Sequence, residues 1–426
     1  MIECNPTMKP KSTIEAAGLM LSTDFDNGAL ARASGAGENE LDLWPFLEDE
    51  YSEGFIKIPQ PGGKAGPVQS ANFAFHFRLG GCKDKTLTLK FHIASERSVP
   101  EAVSVVYANP DFPVFSYDGA QWQRAENKEL IAGAGGPNEK VVVVRQTFTE
   151  DKVWVAYQYP YTNDHVSRLI QRVKHSEFCN VSMAGQSTEG RLIHQFSLTD
   201  FTIPVESKKV IWLTGLQHCA ELGAGWGLEG MIEFLVSADP AAAALRQRFK
   251  FKIIPIVNVD AVAEGRGRIH SSGKNPNREW ESHDPMREVQ TIRATMDKWV
   301  NGGKRIDALI DIHGFSVREG KWTAPVVPKT SYPAERAHSY DGFLSSIKQC
   351  LPGIKYGDYV SEGFVSGMAA RRYGALALAI DGYVYKWPGE AAPDFTSHYK
   401  DGCRIWDLCS IKATGAEFAR AFLDWQ

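Results

Sequence analysis

One change of texture, near residue 160, constrains this chain more than any bulk property does. Before it, apolar residues recur at every second position. "NFAFHFRL" places Phe73, Phe75 and Phe77 on one face, and "TLTLKFHIA" does the same with Leu87, Leu89, Phe91 and Ile93. "KVVVVRQTF" and "DKVWVAYQY" continue the pattern, with clusters of Gly, Pro, Asn and Asp between the runs. Short strands at this spacing predict an antiparallel β-sandwich. After residue 160 the units lengthen and alternate. Strands are expected at 209–215, 251–257, 306–312 and 374–381, separated by helical patterns such as "GWGLEGMIEFLVS", "PMREVQTIRATMDKWV" and "ERAHSYDGFLSSIKQCL", with "TGAEFARAFLDW" after the last strand. The expected architecture is an N-terminal sandwich domain over 1–160, followed over 161–426 by an α/β domain with a mixed, mostly parallel sheet flanked by helices.

Composition narrows what such a chain does. With 426 residues, 43% apolar and 23% charged, it can bury a large core. Its net charge of −4 is spread among interspersed signs, which argues against nucleic acid as a partner. No apolar run reaches the roughly 18 residues of a membrane span, and "MIECNPTMKPKSTIEAAGLML" has no apolar stretch behind basic residues, so neither membrane association nor a leader is expected. The seven cysteines are scattered without C-x-x-C spacing and read as reduced thiols, which points to the cytoplasm. Oligomeric state is not legible.

Ligands of parallel sheets bind outside the carboxyl ends of the strands. The strand at 209–215 runs into "GLQHCAE", with His218 and Glu221, and the strand at 306–312 runs into "DIHG", with His313. Two neutral imidazoles and a carboxylate form a zinc ligand set that leaves a position for water. A spacing of three lets one turn aim the first two at a single ion. A His and a Glu three apart also arise by chance about 0.7 times in a chain of this composition, so the pair alone is weak. His338 with Asp341, and His398 with Asp401, repeat the spacing away from any strand end and read as surface residues.

Between the two histidine segments lies "IIPIVNVDAVAEGRGRIHSSGKNPNREW". It resembles the zinc carboxypeptidases of the M14 class, in which a strand, an "NPDG" turn, an arginine and a "G-x-D-x-N-R-x-W" segment follow in that order. "NVDA" and "GKNPNREW" occupy the corresponding places here. "STDFDNGALARAS", "WQR" at 122–124 and "YQYPYTNDHVSRLI" are similar to the N-terminal β-domain and linker of the cytosolic carboxypeptidase subfamily, so the resemblance covers most of the chain.

The resemblance implies one zinc ion held by His218, Glu221 and His313, and a peptide or protein C-terminus as substrate. It implies that Arg268, with Arg266 as the alternative register, stabilises the oxyanion, and that Arg278 with Asn277 holds the terminal carboxylate. The family's general base is a glutamate late in the chain; here Asp381 follows the apolar run "YGALALAI", one methylene shorter, with Glu362 as the fallback. Arg371 and Arg372 are candidates for binding an acidic side chain, and Tyr383 and Tyr385 for covering the substrate. Three departures stand near the site: "HCAE" for "HPGE", which puts Cys219 beside a ligand; Asn275 for an aspartate, which removes a charge beside the substrate arginines; and "DIHGF" for "DLHGH". Three functions are compatible with these residues. The first is a metallocarboxypeptidase cutting a C-terminal peptide or isopeptide bond, including one that releases acidic residues. The second is a zinc amidohydrolase or esterase acting on an N-acyl amino acid, a cell-wall fragment or a carbohydrate ester. The third is a zinc-containing binding protein without catalysis.

Overall fold

A computed structural model describes residues 12–47, 73–92, 113–125, 127–132, 140–315, 321–358, 363–383 and 408–425. Two compact units emerge. One comprises the described residues up to Thr162 together with Asp260–Lys274; the other comprises Asn163–Val259 and the described residues from Asn275 onward.

Among the described residues, the first unit is built from two large sheets and a two-stranded one that pairs Phe46–Leu47 with Phe73–Ala74. Six strands run in the order Thr13–Ala16, Leu19–Ser22, His76–Gly80, Lys152–Ala156, Val114–Ser116 and Gln123–Arg124, and five in the order Lys128–Ala132, Lys140–Phe148, Lys85–His92, Glu40–Trp44 and Arg32–Gly37. Their alternating residues meet in one core. Leu87, Leu89 and Phe91 from one sheet are buried with Phe77, Leu79, Val153 and Val155 from the other. Phe75 stacks on Phe91 with ring centroids 4.6 Å apart. Each such side chain stabilises the fold by roughly 2 kcal/mol through burial. The pairing is antiparallel except between Glu40–Trp44 and Lys85–His92, which run parallel. Ile93 lies outside the described residues.

The second unit contains a single eight-stranded sheet. In chain order its strands are β1 (Cys179–Gln186), β2 (Leu192–Leu198), β3 (Lys209–Gly215), β4 (Phe249–Ile254), β5 (Ala308–Gly314), β6 (Lys321–Val326), β7 (Ile354–Asp358) and β8 (Leu376–Tyr383). They lie in the order β1-β2-β4-β3-β5-β8-β6-β7. The central four are parallel, and antiparallel pairing enters at β1-β2, β2-β4 and β8-β6. The helices are α1 (Asn163–Val173), α2 (Leu222–Val236), α3 (Pro240–Arg248), α4 (Arg287–Asn301), α5 (Ala334–Cys350), α6 (Val365–Tyr373) and α7 (Leu408–Ala421). Among the described residues no helix is long and apolar enough to cross a membrane.

Helix α2, which starts immediately after Glu221, is apolar on nearly every side, and its glycines explain how it is covered. A Cβ on Gly230 would stand 2.1 Å from the Lys412 carbonyl oxygen, and one on Gly415 would stand 1.8 Å from the Gly227 carbonyl oxygen. Backbone therefore meets backbone where α2 and α7 cross, and no larger residue fits between them. Gly415→Ala is expected to lower the unfolding free energy by on the order of 3 kcal/mol, read as a reduced urea midpoint at unchanged slope.

Candidate metal centre

Strand β3 leaves the sheet through Leu216, whose φ of 46° lies in the left-handed region that leucine rarely adopts. Its side chain is fully buried, so packing outweighs a backbone cost of about 1–2 kcal/mol. The Val257 and Asn258 amides hold the corner by donating to the carbonyls of Gly215 and Leu216, at 3.0 and 3.2 Å. The chain then turns through His218, whose carbonyl accepts from the Glu221 amide at 3.2 Å. Glu221 sits at the N-terminal boundary of α2, where the helix dipole favours a negative charge. His313 arrives from β5 at a register shift between Ile312 and Gly314 in the pairing with β8, a bulge that re-aims its side chain.

Three side chains consequently converge. His218 Nδ1 is 2.7 Å from Glu221 Oε1, His313 Nδ1 is 2.8 Å from Glu221 Oε2, and the two Nδ1 atoms are 3.2 Å apart. The opposite ring nitrogens decide the tautomers. His218 Nε2 lies 3.1 Å from Asn275 Oδ1, an oxygen already identified as an acceptor by the Asn277 amide at 2.9 Å. His313 Nε2 lies 2.8 Å from Asp311 Oδ2. A carboxylate and an amide oxygen only accept, so with a metal ion between the rings each Nε2 would carry the proton and each Nδ1 would present a lone pair to the ion. The two Nδ1 atoms and the Glu221 carboxylate can face one another this closely only with positive charge between them, as protons or as a metal ion.

A deeper buried layer fixes this arrangement. Asp311 also accepts from Thr214 Oγ1 at 2.7 Å and from Gln217 Nε2, and Gln217 Oε1 accepts from Trp280 Nε1 at 2.8 Å. Electrostatics points the same way. Burial by itself would discourage charge on either group. The two histidines nonetheless hold the Glu221 carboxyl well below the usual range, and the Glu221 and Asp311 carboxylates raise His313 well above the usual histidine range. The cluster demands positive charge, and two imidazoles with one carboxylate fit zinc.

The sequence profile of the zinc carboxypeptidase family matches residues 166–319, the stretch that holds all three converging side chains. Over this segment the chain is similar to the zinc carboxypeptidase family. An uncharacterised protein of Zymomonas mobilis is 30% identical over 244 residues, covering 56% of this chain and 58% of its own length. Cytosolic carboxypeptidase 4 of Mus musculus is 26% identical over 327 residues, covering 71% of this chain and 28% of its own. The chain thus spans little more than half of the first relative and about a quarter of the second. In fold it is similar to a metallo-carboxypeptidase from Burkholderia cenocepacia, with a TM-score of 0.71, 21% identity and coverage of 95% and 98% of the two chains. It is also similar to one from Pseudomonas aeruginosa, with a TM-score of 0.65, 19% identity and coverage of 94% and 97%.

Within this segment and beyond it, the other residues singled out by sequence fall in separate places. Asp381 in β8 is the register partner of Gly314, the residue after His313, and a Cβ on Gly314 would stand 3.5 Å from an Asp381 carboxylate oxygen. Asn277 and Arg278 lie on the buried turn Pro276–Arg278. The Asn277 side-chain amide is 2.9 Å from His313 Nε2, while Arg278 Nη1 donates to the Asn277 carbonyl at 2.9 Å and its guanidinium covers the Phe364 ring at 4.6 Å. Asn275, expected beside the substrate arginines, accepts from the Arg278 amide through its carbonyl at 2.9 Å and backs His218 through its side chain. Arg266 and Arg268 belong to the Asp260–Lys274 segment of the first unit; Arg266 is buried and paired with Glu264, and Arg268 is half-buried. Arg371 is exposed on α6 with its guanidinium forked onto Glu281, Nε to Oε1 at 2.9 Å. Arg372 pairs in the same way with Asp297. Tyr383 ends β8, but its side chain, like Glu362 and Tyr385, is outside the described residues. Asp311 and Gln217 escaped the sequence reading. Asp311 had a signal, because Asp and His two apart on a strand share a face.

Proposed function

We propose that this chain is a zinc-dependent metallocarboxypeptidase that hydrolyses the C-terminal peptide bond of a peptide or protein. The observation supporting this reading is the convergence of the His218 and His313 Nδ1 atoms on both oxygens of Glu221, with each Nε2 proton taken up behind. His218, Glu221 and His313 would hold the zinc ion, which when bound would supply Lewis acidity towards the scissile carbonyl and the attacking water. The chain's own groups do the rest. Asp381 accepts the proton of the attacking water and returns it to the departing amine. Its closeness to Gly314, where no side chain intervenes, offsets the methylene that aspartate lacks. Arg268 stabilises charge developing on the carbonyl oxygen, since Arg266 is already paired with Glu264. Arg278, with Asn277 beside it, receives the terminal carboxylate.

Selection of acidic residues requires a cation facing the departing side chain. Arg371 is already forked onto Glu281, so we propose release of a C-terminal residue without acidic selection by Arg371. Incubation of the zinc-loaded chain with a peptide library tests the function. Free C-terminal amino acids should appear, and amidation of the C-terminus should stop their release. Hydrolysis of N-acyl amino acids or carbohydrate esters without amino-acid release from peptides would replace this reading with the amidohydrolase or esterase one.

The partner of His218 gives a separate prediction. Asn275 offers a neutral oxygen where a carboxylate would draw the Nε2 proton more strongly and make Nδ1 more basic. Asn275→Asp should tighten zinc binding about tenfold in competition with a chelator. Unchanged or weaker affinity would show that the amide does not tune this ligand.

A further inference from the structure

A second concentration of charge lies on the sheet of the same unit, away from the strand ends that carry the ligands. Lys250 and Lys252 alternate on one face of β4, and Lys252 is the register partner of Trp212 on β3 and of Ser197 on β2. Trp212 is three residues short of the end of β3, so this region lies about 10 Å from the rim. Trp299, in the last turn of α4, covers it and is held in place by donating from Nε1 to the Arg305 carbonyl at 2.8 Å. The Nζ atoms of Lys250, Lys252 and Lys304 lie 5.5, 4.6 and 4.5 Å from the centre of that one indole ring.

Three ammonium groups around one ring repel one another, and a single quadrupole compensates at most a fraction of that repulsion. Among the described residues, none of the three forms an ion pair with a carboxylate. Lys252 is nine-tenths buried and its hydrogen bond is to Gln195 Oε1, at 2.7 Å. Its Nζ lies 4.9 Å from the centre of the Trp212 ring. Two further buried polar atoms here are donors. Gln195 Nε2 and Trp212 Nε1 are buried with no hydrogen-bond partner in the structure, and the Lys252 contact fixes the Gln195 amide so that its nitrogen cannot turn away its donor role. Burial, followed by the neighbouring Lys250 and Lys304, brings Lys252 down to about 8. Access is graded: Lys304 is exposed, Lys250 half-buried and Lys252 buried, with Phe201 exposed at the edge under Lys250 at 5.1 Å.

The geometry points to an oxyanion-binding site on this sheet face, lined by Lys250, Lys252, Lys304, Gln195 and Trp212 beneath Trp299, that takes a compact, multiply charged phosphate-class ligand. A phosphate at neutral pH carries nearly two negative charges and offers several acceptor oxygens, which matches a site of ammonium and N–H donors. A single carboxylate would leave most of the charge and several donors unmatched. This inference stands independently of the zinc reading, because none of its residues touches His218, Glu221 or His313.

The test is titration of inorganic phosphate and pyrophosphate into the full chain, followed by tryptophan fluorescence and calorimetry, with pyrophosphate expected to bind more tightly. Lys250→Ala combined with Lys304→Ala changes two residues outside the core and should weaken binding at least tenfold. Lys252→Met, which keeps an unbranched chain in the buried position, should abolish it. His313→Ala should leave the affinity within twofold of the parent chain. The proposal is overturned by absence of saturable binding of both anions, by an unchanged affinity in the double variant, or by loss of binding in His313→Ala, which would assign the anion to the metal centre.

Discussion

Asp381→Asn is expected to lower kcat by two to four orders of magnitude while the chain still binds one zinc per molecule. The amide is nearly isosteric with the carboxylate, so the β8 register beside Gly314 and the three ligands should persist. What disappears is the capacity to take a proton and give it back. Asp381→Glu supplies the complementary measurement. It lengthens the side chain, but in a space where even one carbon added to Gly314 would meet the Asp381 carboxylate at van der Waals distance, so a partial recovery relative to Asn is expected rather than a gain over the parent. If Asp381→Asn retained parent-level kcat on peptides, the proton would have to be handled elsewhere, and the assignment of the base would fail.

His313→Ala should have the larger effect on the metal. Loss of an outer partner of a ligand typically costs roughly 10–100-fold in affinity, and loss of a ligand should exceed that. Zinc should no longer co-purify in stoichiometric amount, peptide hydrolysis should fall to background, and added zinc should no longer raise the unfolding temperature, since stabilisation by a ligand requires that the folded chain bind it. The metal-free parent chain makes a further contrast. Its His313 is raised by the Glu221 and Asp311 carboxylates against the effect of burial, so protonation stabilises the fold fully below the unfolded histidine pKa of about 6.5. That contribution is lost as pH rises through the raised folded value. Denaturant midpoints of the metal-free parent should therefore decline across that rise, and those of His313→Ala should not.

How much of this was legible beforehand differs by element. The central strands could be read because strands covered on both faces are continuous apolar runs, and β3, β4, β5 and β8 fall within a few residues of the expected ranges. The strands towards the two edges could not. β1, "CNVSMAGQ", is largely exposed and carries an irregularity between Met183 and Gly185, and β6 contains Pro325, so neither shows the expected period. Helix α1 was hidden inside a stretch read as linker, although Val166, Leu169 and Val173 form its buried stripe. At the site, residue type and strand ends were enough to select His218, Glu221 and His313. Apart from Asp311, two residues before His313, the layer behind them was not accessible by spacing. Asn275 reaches His218 across 57 positions and Gln217 reaches Asp311 across 94, and only the folded sheet brings such distant positions together.

The crossing of α2 and α7 has a consequence for biosynthesis. The helix that begins beside Glu221 acquires a neighbour at backbone contact from a segment translated far later, after every described strand of the sheet has been made. The metal-binding corner should therefore gain its rigidity late during production of the chain, and a nascent polypeptide arrested before Leu408 should capture zinc weakly and resist proteases poorly around Glu221.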